Sequence, residues 1–162
     1  MTDIWVVNAS PVIALAKAQH LHLLERSCRE LLIPEAVATE ILAGPPADPA
    51  RQAVQSGWGH RVACPDIPPS LLEWGLGTGE TAVLSLAAQR KLTTVIDDSA
   101  ARACAKSLGI DAIGTLAVVL RAKRKAIIPS ATDVLKALRA VGFYLDDEVV
   151  RAALETIGEG WG

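Results

Sequence analysis

The feature that most constrains the fold is an alternation of short apolar runs with segments of helical periodicity. Four runs have the length and composition of buried strands: residues 4–7, 31–33, 93–96 and 112–113. A weaker run at 61–64 has the character of an edge strand. Because strands that alternate with helices through short connections form parallel sheets, we predict an α/β fold. Its expected form is a three-layer α/β/α sandwich with a parallel sheet of four to five strands.

Helix start signals follow most of these runs. Ser10 is a candidate N-cap with Pro11 as the first helical residue, and Pro34 suits the same position in the next helix. Ser130 and Asp146 are candidate N-caps near the C-terminus. The predicted helices span 11–24, 35–43, 80–90, 99–108 and 116–125, with one after each of the last two caps and one short helix near residue 50. The 162 residues contain no repeat or long linker, which predicts a single domain over 1–162.

Composition and charge narrow the possible functions. A net charge of −2 argues against coating nucleic acid by bulk charge, but not against one basic patch beside an acidic site. One Phe, one Tyr and four Trp are too few for rows of aromatic side chains that stack bases. The three cysteines form no CxxC pair and fit small core residues in a reducing cytosol. With no signal-like N-terminus and no apolar run near about 18 residues, we predict a cytoplasmic protein without a membrane partner.

The triplet Asn8-Ala9-Ser10 stands where the first strand ends and a helix begins. This is the position at which α/β proteins usually carry their chemistry. Its first polar residue is an amide, which can bind a metal ion through its oxygen but carries no charge.

Two glutamates interrupt apolar helix faces. Glu80 shares a face with Val83 and Leu84, three and four residues further on. The alternative is that Glu80 only stabilises the start of its helix through the helix dipole. Glu40 borders the apolar face of Val37, and its alternative is simple exposure at the edge of that face.

Two aspartates end a strand that has a buried composition. Asp97 and Asp98 follow residues 93–96, and their side chains point to opposite faces. We expect one of them to cap the next helix and the other to be free.

Together these side chains predict a metal site. The carboxyl ends of parallel strands meet at one edge of the sheet, and several carboxylates gathered there repel each other unless a cation lies among them. Oxygen ligands without nearby His or Cys favour Mg²⁺ or Mn²⁺ over zinc. Such a site suits phosphoryl transfer.

Two other patterns are set aside. GLGTGE lacks a clear preceding strand and a following Lys-Ser/Thr, so it fits neither a dinucleotide loop nor a P-loop. His20 and His22 are two residues apart, and on a helix such residues point to different sides.

Six segments in this order resemble a branch of the PIN-domain superfamily. They cover residues 4–158, and VIDD with a downstream Arg plus GxGE is the most distinctive part. The segments are VVNASPVIALAKAQHLHLL, IPEAVATEIL, GTGETAVLSLA, VIDDSAARACAKSLGI, IGTLAVVLRAKRK and GFYLDDEVV. The resemblance implies a PIN-like sandwich and metal-dependent cleavage of single-stranded RNA. Many relatives are toxins of toxin–antitoxin modules, which implies a cognate antitoxin protein and a homodimer as partners.

Carried over residue by residue, the family's acidic quartet, both catalytic and metal-binding, falls on Asn8, Glu40, Glu80 and Asp98. Asp97 is a possible fifth ligand, and Ser10 matches a small polar residue that supports the first acidic position.

Asn8 departs from the family pattern, since most PIN nucleases have Asp there. An amide oxygen can still bind a metal ion, with one negative charge fewer in the site. The alternatives are therefore a PIN fold weakened in catalysis that binds RNA or a protein partner, and a metal-dependent phosphohydrolase of small substrates.

Cations are expected near the acidic site to hold RNA. The candidates are Lys17, Arg102 and Lys106. Arg102 follows Asp98 by one helical turn, so its alternative role is an ion pair with an aspartate. The basic run at 121–125 closes a helix, where cations also favour the C-terminal carbonyls.

Overall fold

A computed structural model describes residues 3–162 and contains one five-stranded sheet. All neighbouring strands pair in parallel, and their order is β3-β2-β1-β4-β5. The strands are β1 (Ile4–Val7), β2 (Glu30–Pro34), β3 (His60–Val62), β4 (Thr93–Val95) and β5 (Ala112–Ile113). The predicted parallel sheet is confirmed, and the weak third run forms an edge strand.

Helices cover both faces of this sheet. They are α1 (Ala9–Lys17), α2 (His22–Ser27), α3 (Glu35–Leu42), α4 (Pro49–Gln55), α5 (Pro69–Leu72), α6 (Thr78–Arg90), α7 (Ser99–Ser107), α8 (Thr115–Arg124), α9 (Ala131–Ala140) and α10 (Asp147–Glu155). On one face α5, α6 and α7 pack together around Leu71, Leu84 and Ile96. On the other, α1 and α2 pack against α9 and α8, while α3 contacts both α1 and α6. The predicted three-layer sandwich is therefore confirmed.

The first predicted helix is split in two, and its cap is misplaced. Asn8, not Ser10, is the N-cap of α1, and Pro11 is the third helical residue. A proline fits there because the first N–H groups of a helix have no intrahelical partner. The helix then ends at Lys17, and Gln19 adopts a left-handed conformation with φ of 63°. The chain changes direction there and starts again as α2, which turns Leu23 into the core.

The split also changes the relation of the two histidines. His20 lies before α2 and His22 is its first residue, so they do not share one helix as predicted. Their ring centroids are 5.8 Å apart.

Smaller corrections concern three boundaries. Pro34 is the last residue of β2 and the N-cap of α3, one position before its predicted place. Strand β3 lies one to two residues before the predicted run. Helix α5 follows the segment predicted as a loop, because Pro69 suits a first helical position and Leu71 is fully buried.

Strand β1 lies at the centre of the sheet, where the direction of strand order reverses. The chain builds β2 and β3 on one side of β1, then returns to add β4 and β5 on the other. Val7 of β1 is in register with Val95 of β4, and the Asn8 N–H donates to the Val95 carbonyl at 3.0 Å. Loops after the two strands on either side of such a reversal diverge and leave a crevice that usually binds ligands.

Across residues 3–162, no helix combines the length and apolar composition needed to cross a membrane.

The C-terminal segment holds the start of α9 through a carboxylate. Glu159 accepts hydrogen bonds from the backbone N–H groups of Ala131 (3.0 Å) and Thr132 (2.8 Å), and from the Thr132 hydroxyl (2.7 Å). Burial alone would raise the pKa of Glu159, but these hydrogen bonds, with Lys123 nearby, lower it to about 2. Ser130 is the N-cap of this helix, as predicted, and accepts from the Asp133 N–H.

We expect Glu159→Gln to lower the free energy of unfolding at pH 7 by about 1–2 kcal/mol, because the amide is a weaker acceptor at a helix N-terminus. The folded-state pKa lies below the unfolded value. The carboxylate therefore contributes fully above about pH 4.5, and its contribution falls as the pH approaches 2. Urea unfolding at pH 7, 5 and 3 should show the difference shrinking. Glu155→Gln on exposed α10 is the matched control, and a difference independent of pH would contradict the assignment.

Candidate active site

Asn8 lies at the crevice with its side chain turned away from the helix it precedes. It is 4 % exposed, and although asparagine is a preferred N-cap residue, its side chain makes no cap hydrogen bond to α1. Its Oδ1 is buried and accepts no hydrogen bond from any residue in 3–162. A buried acceptor without a partner costs about 1–3 kcal/mol. This oxygen therefore faces a place where the fold supplies no donor of its own.

The start of α6 lies directly against this oxygen. A Cβ atom on Gly79 would lie 3.4 Å from Asn8 Oδ1 and 3.1 Å from Glu40 Oε1, which brings Asn8 and Glu40 to one point. The third contact is Val37 on α3, one turn before Glu40. The absence of a side chain at Gly79 leaves the space in which these oxygens approach each other.

Glu80 completes this group from the first turn of α6. Its Oε2 lies 2.6 Å from the place where a Cβ on Gly77, the N-cap of α6, would stand. The carboxylate thus folds back over the start of its own helix, where the helix dipole favours a negative charge. Both interpretations of Glu80 hold in the structure: it stabilises the helix start, and it reaches the crevice.

The pKa of Glu40 reports how close the two carboxylates are. Glu40 as a residue is exposed, but partial burial of its carboxyl group and then the charge of Glu80 raise its pKa above the ordinary value. The two carboxylates therefore repel each other across the crevice. A cation between them would remove that repulsion, and with the unpartnered Asn8 oxygen they form an all-oxygen donor set that fits Mg²⁺ or Mn²⁺.

Asp97 points away from this group. Its Oδ1 accepts from the Thr115 N–H at 2.7 Å and its Oδ2 from the Thr115 hydroxyl at 2.6 Å. The prediction that one of the two aspartates would be free is therefore wrong, because β5 brings Thr115 alongside. Asp97 fixes the start of α8.

Asp98 is the aspartate that caps the next helix. It is exposed, and its Oδ2 accepts from the Ala101 N–H at 2.9 Å, which leaves Oδ1 without a protein donor in the described chain. Within residues 3–162, no three His, Cys, Asp or Glu side chains lie close enough together to hold a metal ion. The structure thus brings together Asn8, Glu40 and Glu80, and it leaves Asp98 as a predicted ligand at the neighbouring strand end.

Of the predicted RNA-binding cations, Arg102 alone stays near the crevice edge. Lys17 and Lys106 are nine and eight residues beyond Asn8 and Asp98, about 12–13 Å along their helices. The Arg102 Nη1 lies 2.7 Å from the place of a Cβ on Gly114, with Asp97 Oδ1 at 2.9 Å. Arg102 makes no ion pair within 4 Å in the part of the chain described, so the alternative of an aspartate pair is not supported.

The basic run at the end of α8 lies at the opposite edge of the sheet. Lys125 is close enough to Cys28, which precedes β2, to affect its pKa, whereas the crevice lies at the carboxyl ends of the strands. In the same run, Lys123 pairs with Glu159 and Arg124 donates to Thr156. The structural interpretation of this run is supported.

Comparison with known families places this geometry. The family model DUF3368, described as a PIN domain, matches residues 4–159. The chain belongs to the PIN-domain family. PIN domains are generally nucleases that act on RNA and use divalent metals. A search of curated proteins found no match to the chain.

Sequence reasoning missed the structural role of two glycines in this PIN domain. GLGTGE was examined as a phosphate loop, whereas Gly77 and Gly79 make room for the oxygens of Glu80, Glu40 and Asn8. The signal was the GxGE pattern itself, in which two glycines precede a carboxylate at a helix start. Ser10, the predicted supporting residue, is exposed in the first turn of α1.

We expect Gly79→Ala to separate stability from function. Alanine favours the helix by up to about 1 kcal/mol, so the free energy of unfolding should stay equal or rise. The added Cβ, however, would stand 3.1 Å from Glu40 Oε1 and push the acidic group apart. RNA cleavage and the thermal stabilisation by Mn²⁺ should both fall. Gly160→Ala is the control, since a Cβ there meets nothing within 4 Å, and undiminished cleavage by Gly79→Ala would show that this space is not part of the site.

Proposed function

We propose that this chain is a Mg²⁺- or Mn²⁺-dependent endoribonuclease that cleaves phosphodiester bonds of single-stranded RNA. The observation that carries the proposal is the buried, unpartnered Oδ1 of Asn8 beside Glu40, with Glu80 close by, at the reversal of strand order. These groups, with Asp98 from the adjacent strand end, would hold the cation. When bound, such a cation lowers the pKa of a water molecule and stabilises negative charge on the phosphate.

The chain's own residues supply the rest of the site. The glycines of α6 keep side chains out of the crevice, so a phosphate can approach the carboxylates closely. Arg102 brings a guanidinium without an ion partner in residues 3–162 to the same edge, where it can bind the RNA backbone. Asp97 and Thr115 fix the start of α8 beside it.

The test is cleavage of a labelled single-stranded RNA by the purified protein in Mn²⁺, Mg²⁺ or EDTA, beside Asp98→Ala. We expect cleavage that needs the metal and is lost in the variant. A screen of small phosphate esters under the same conditions tests the alternative of a small-substrate phosphohydrolase, which predicts ester turnover without RNA cleavage.

A second candidate function follows from the neutral residue at position 8. Asn8 removes one negative charge, and no three carboxylates gather within residues 3–162. A PIN fold weakened in this way would bind RNA or a protein partner without cutting. It predicts RNA binding without cleavage in the natural protein, and cleavage gained by Asn8→Asp.

The proposed biological role is that of a toxin held silent by a cognate antitoxin, with a homodimer as the assembly. This role is supported by the resemblance to PIN-domain toxins. Induced expression should stop bacterial growth, and Glu80→Gln should relieve the arrest. Light scattering of the purified chain tests the dimer.

A further inference from the structure

A cavity of about 380 Å³ lies beside the crevice, at the end of β5. We call it the Tyr144 pocket, and its main lining residues are Arg102, Leu116, Leu120, Phe143, Tyr144 and Val149. Asp97 and Gly114 close its inner end, so it shares its wall with the edge of the candidate active site. Its volume lies within the range of pockets that bind small organic groups.

The segment that carries Tyr144 is held in place from both sides. The Phe143 N–H donates to the Leu138 carbonyl at 3.0 Å, and Arg139 donates to the Leu145 carbonyl at 2.7 Å. Asp146 then caps α10 by accepting from the Val149 N–H at 3.0 Å. The pocket wall is therefore fixed before any ligand binds, which reduces the entropy lost on binding.

Tyr144 itself contributes little to the packing of the fold. It is 82 % exposed, and it is the single tyrosine of the chain, next to the single phenylalanine. Phe143, by contrast, is half-buried and packs against the main core. An aromatic ring held rigidly in solvent at the mouth of an apolar pocket offers its face to a planar group.

The charge of the pocket also favours a nucleotide. Arg102 contributes guanidinium donors to its wall, and the described chain provides no acidic partner within 4 Å. An apolar peptide laid over the pocket would cover this charge without satisfying it, which is costly. A nucleotide brings both a planar base and several acceptor oxygens, so it satisfies the ring and the guanidinium together.

We propose that the Tyr144 pocket binds one unpaired base of the single-stranded RNA, adjacent to the cleaved phosphate. Tyr144 stacks on the base, the apolar start of α8 covers its edge, and Arg102 donates hydrogen bonds to the same nucleotide. The proposal rests on the proposed ribonuclease function and adds a base-binding subsite to it. One ring suffices for one base, so the small number of aromatic residues agrees with a single subsite.

The position of the pocket fits this role. Strand β5 is two strands away from β1, about 10 Å at the usual spacing of 4.7–4.9 Å. A nucleotide in the pocket therefore lies beside the group of Asn8, Glu40 and Glu80 and not on top of it. The identity of the base at this one position would then bias where the RNA is cut.

The test measures RNA binding in EDTA, where no cleavage occurs, by fluorescence anisotropy of a labelled single-stranded oligonucleotide. We expect Tyr144→Ala to weaken binding by about 5- to 150-fold, the loss typical of one base stacked on an aromatic side chain. Tyr144→Phe, which keeps the ring, should bind as the natural protein does. Val141→Ala, at an exposed residue outside the pocket, is the control.

Two further arms separate the outcomes. An RNA with one abasic nucleotide should lose affinity for the natural protein at one position and lose nothing further with Tyr144→Ala. Tyr144→Leu keeps apolar bulk without a ring, so binding equal to the natural protein would overturn stacking and favour a peptide occupant. If the natural protein binds RNA and Tyr144→Ala binds equally well, the subsite is wrong while the ribonuclease proposal stands. If the natural protein binds no RNA, both proposals fall.

Discussion

Replacing Glu80 with glutamine is expected to lower the rate of RNA cleavage by about 100- to 1,000-fold, the loss typical when one group that stabilises transition-state charge is removed. Glu80 is the carboxylate whose charge raises the pKa of Glu40, so the two share one crevice. Glutamine keeps the size of the side chain and removes its charge, which is what binds a hard cation. The substitution should therefore remove function by its effect on charge alone.

The fold should tolerate this change. Glu80 lies in the first turn of α6, where loss of its charge costs about 0.3–1 kcal/mol of helix-dipole energy. Single-turnover cleavage in Mn²⁺ gives the rate, and thermal unfolding with and without Mn²⁺ gives both stability and cation binding. Glu155→Gln makes the same charge change on α10, far along the chain from the crevice, and should cleave at the natural rate. Full activity in Glu80→Gln would remove this residue from the site.

The sheet and its layers could be predicted because burial leaves a local record in the sequence. Runs such as 31–33 are apolar on both faces, and this pattern is typical of strands covered by helices on both sides. The helix break at Gln19 could not be read in the same way, since the apolar spacing continues through it. The chain turns there to place Leu23 in the core, a demand set by tertiary packing.

The location of the site could also be predicted, but the role of each aspartate could not. Asp97 and Asp98 were expected on opposite faces, and they lie so, because side chains alternate along a strand. Which of them meets a partner depends on what β5 brings alongside, and the sequence does not record that Thr115 lies next to Asp97. The Tyr144 pocket was missed for the same reason. Its walls come from three separate parts of the chain.

Distances along helices explain why the predicted cations did not gather. Helices that follow parallel strands run back across the sheet, so each turn takes a residue about 5.4 Å further from the carboxyl edge. Lys17 and Lys106 lie two turns along, whereas Arg102 lies one turn after Asp98. A cation intended for this edge must lie within the first turn or so of its helix.

Asn8→Asp is expected to change stability in opposite directions with and without a metal ion. Position 8 is 4 % exposed, and its Oδ1 has no donor from residues 3–162. In EDTA, a carboxylate there adds a buried, unpaired charge beside Glu40, which costs about 3 kcal/mol. For a chain of this size, that should lower the melting temperature by about 6–12 °C. The loss should shrink at acidic pH, because protonation of the new carboxyl removes the charge.

In Mn²⁺ the same carboxylate should become favourable. A third negative oxygen beside Glu40 and Glu80 raises the affinity for the cation, so the Mn²⁺-induced rise in melting temperature should exceed that of the natural protein. Gln55→Glu, an amide-to-carboxylate change at an exposed helix end, should shift by less than about 1 kcal/mol and show no added response to Mn²⁺. Equal stability of Asn8→Asp and the natural protein in both conditions would place Asn8 outside the cation site.

Cleavage by the same pair of proteins then decides between the two proposed functions. If both cut RNA, the amide oxygen of Asn8 is a working ligand and the missing charge only weakens the hold on the cation. If Asn8→Asp alone cuts, the natural chain keeps the crevice and its RNA-binding surface but not the charge needed for hydrolysis. Because cation binding is read from the melting temperature and not from the rate, a silent natural protein can still be shown to have, or to lack, the site.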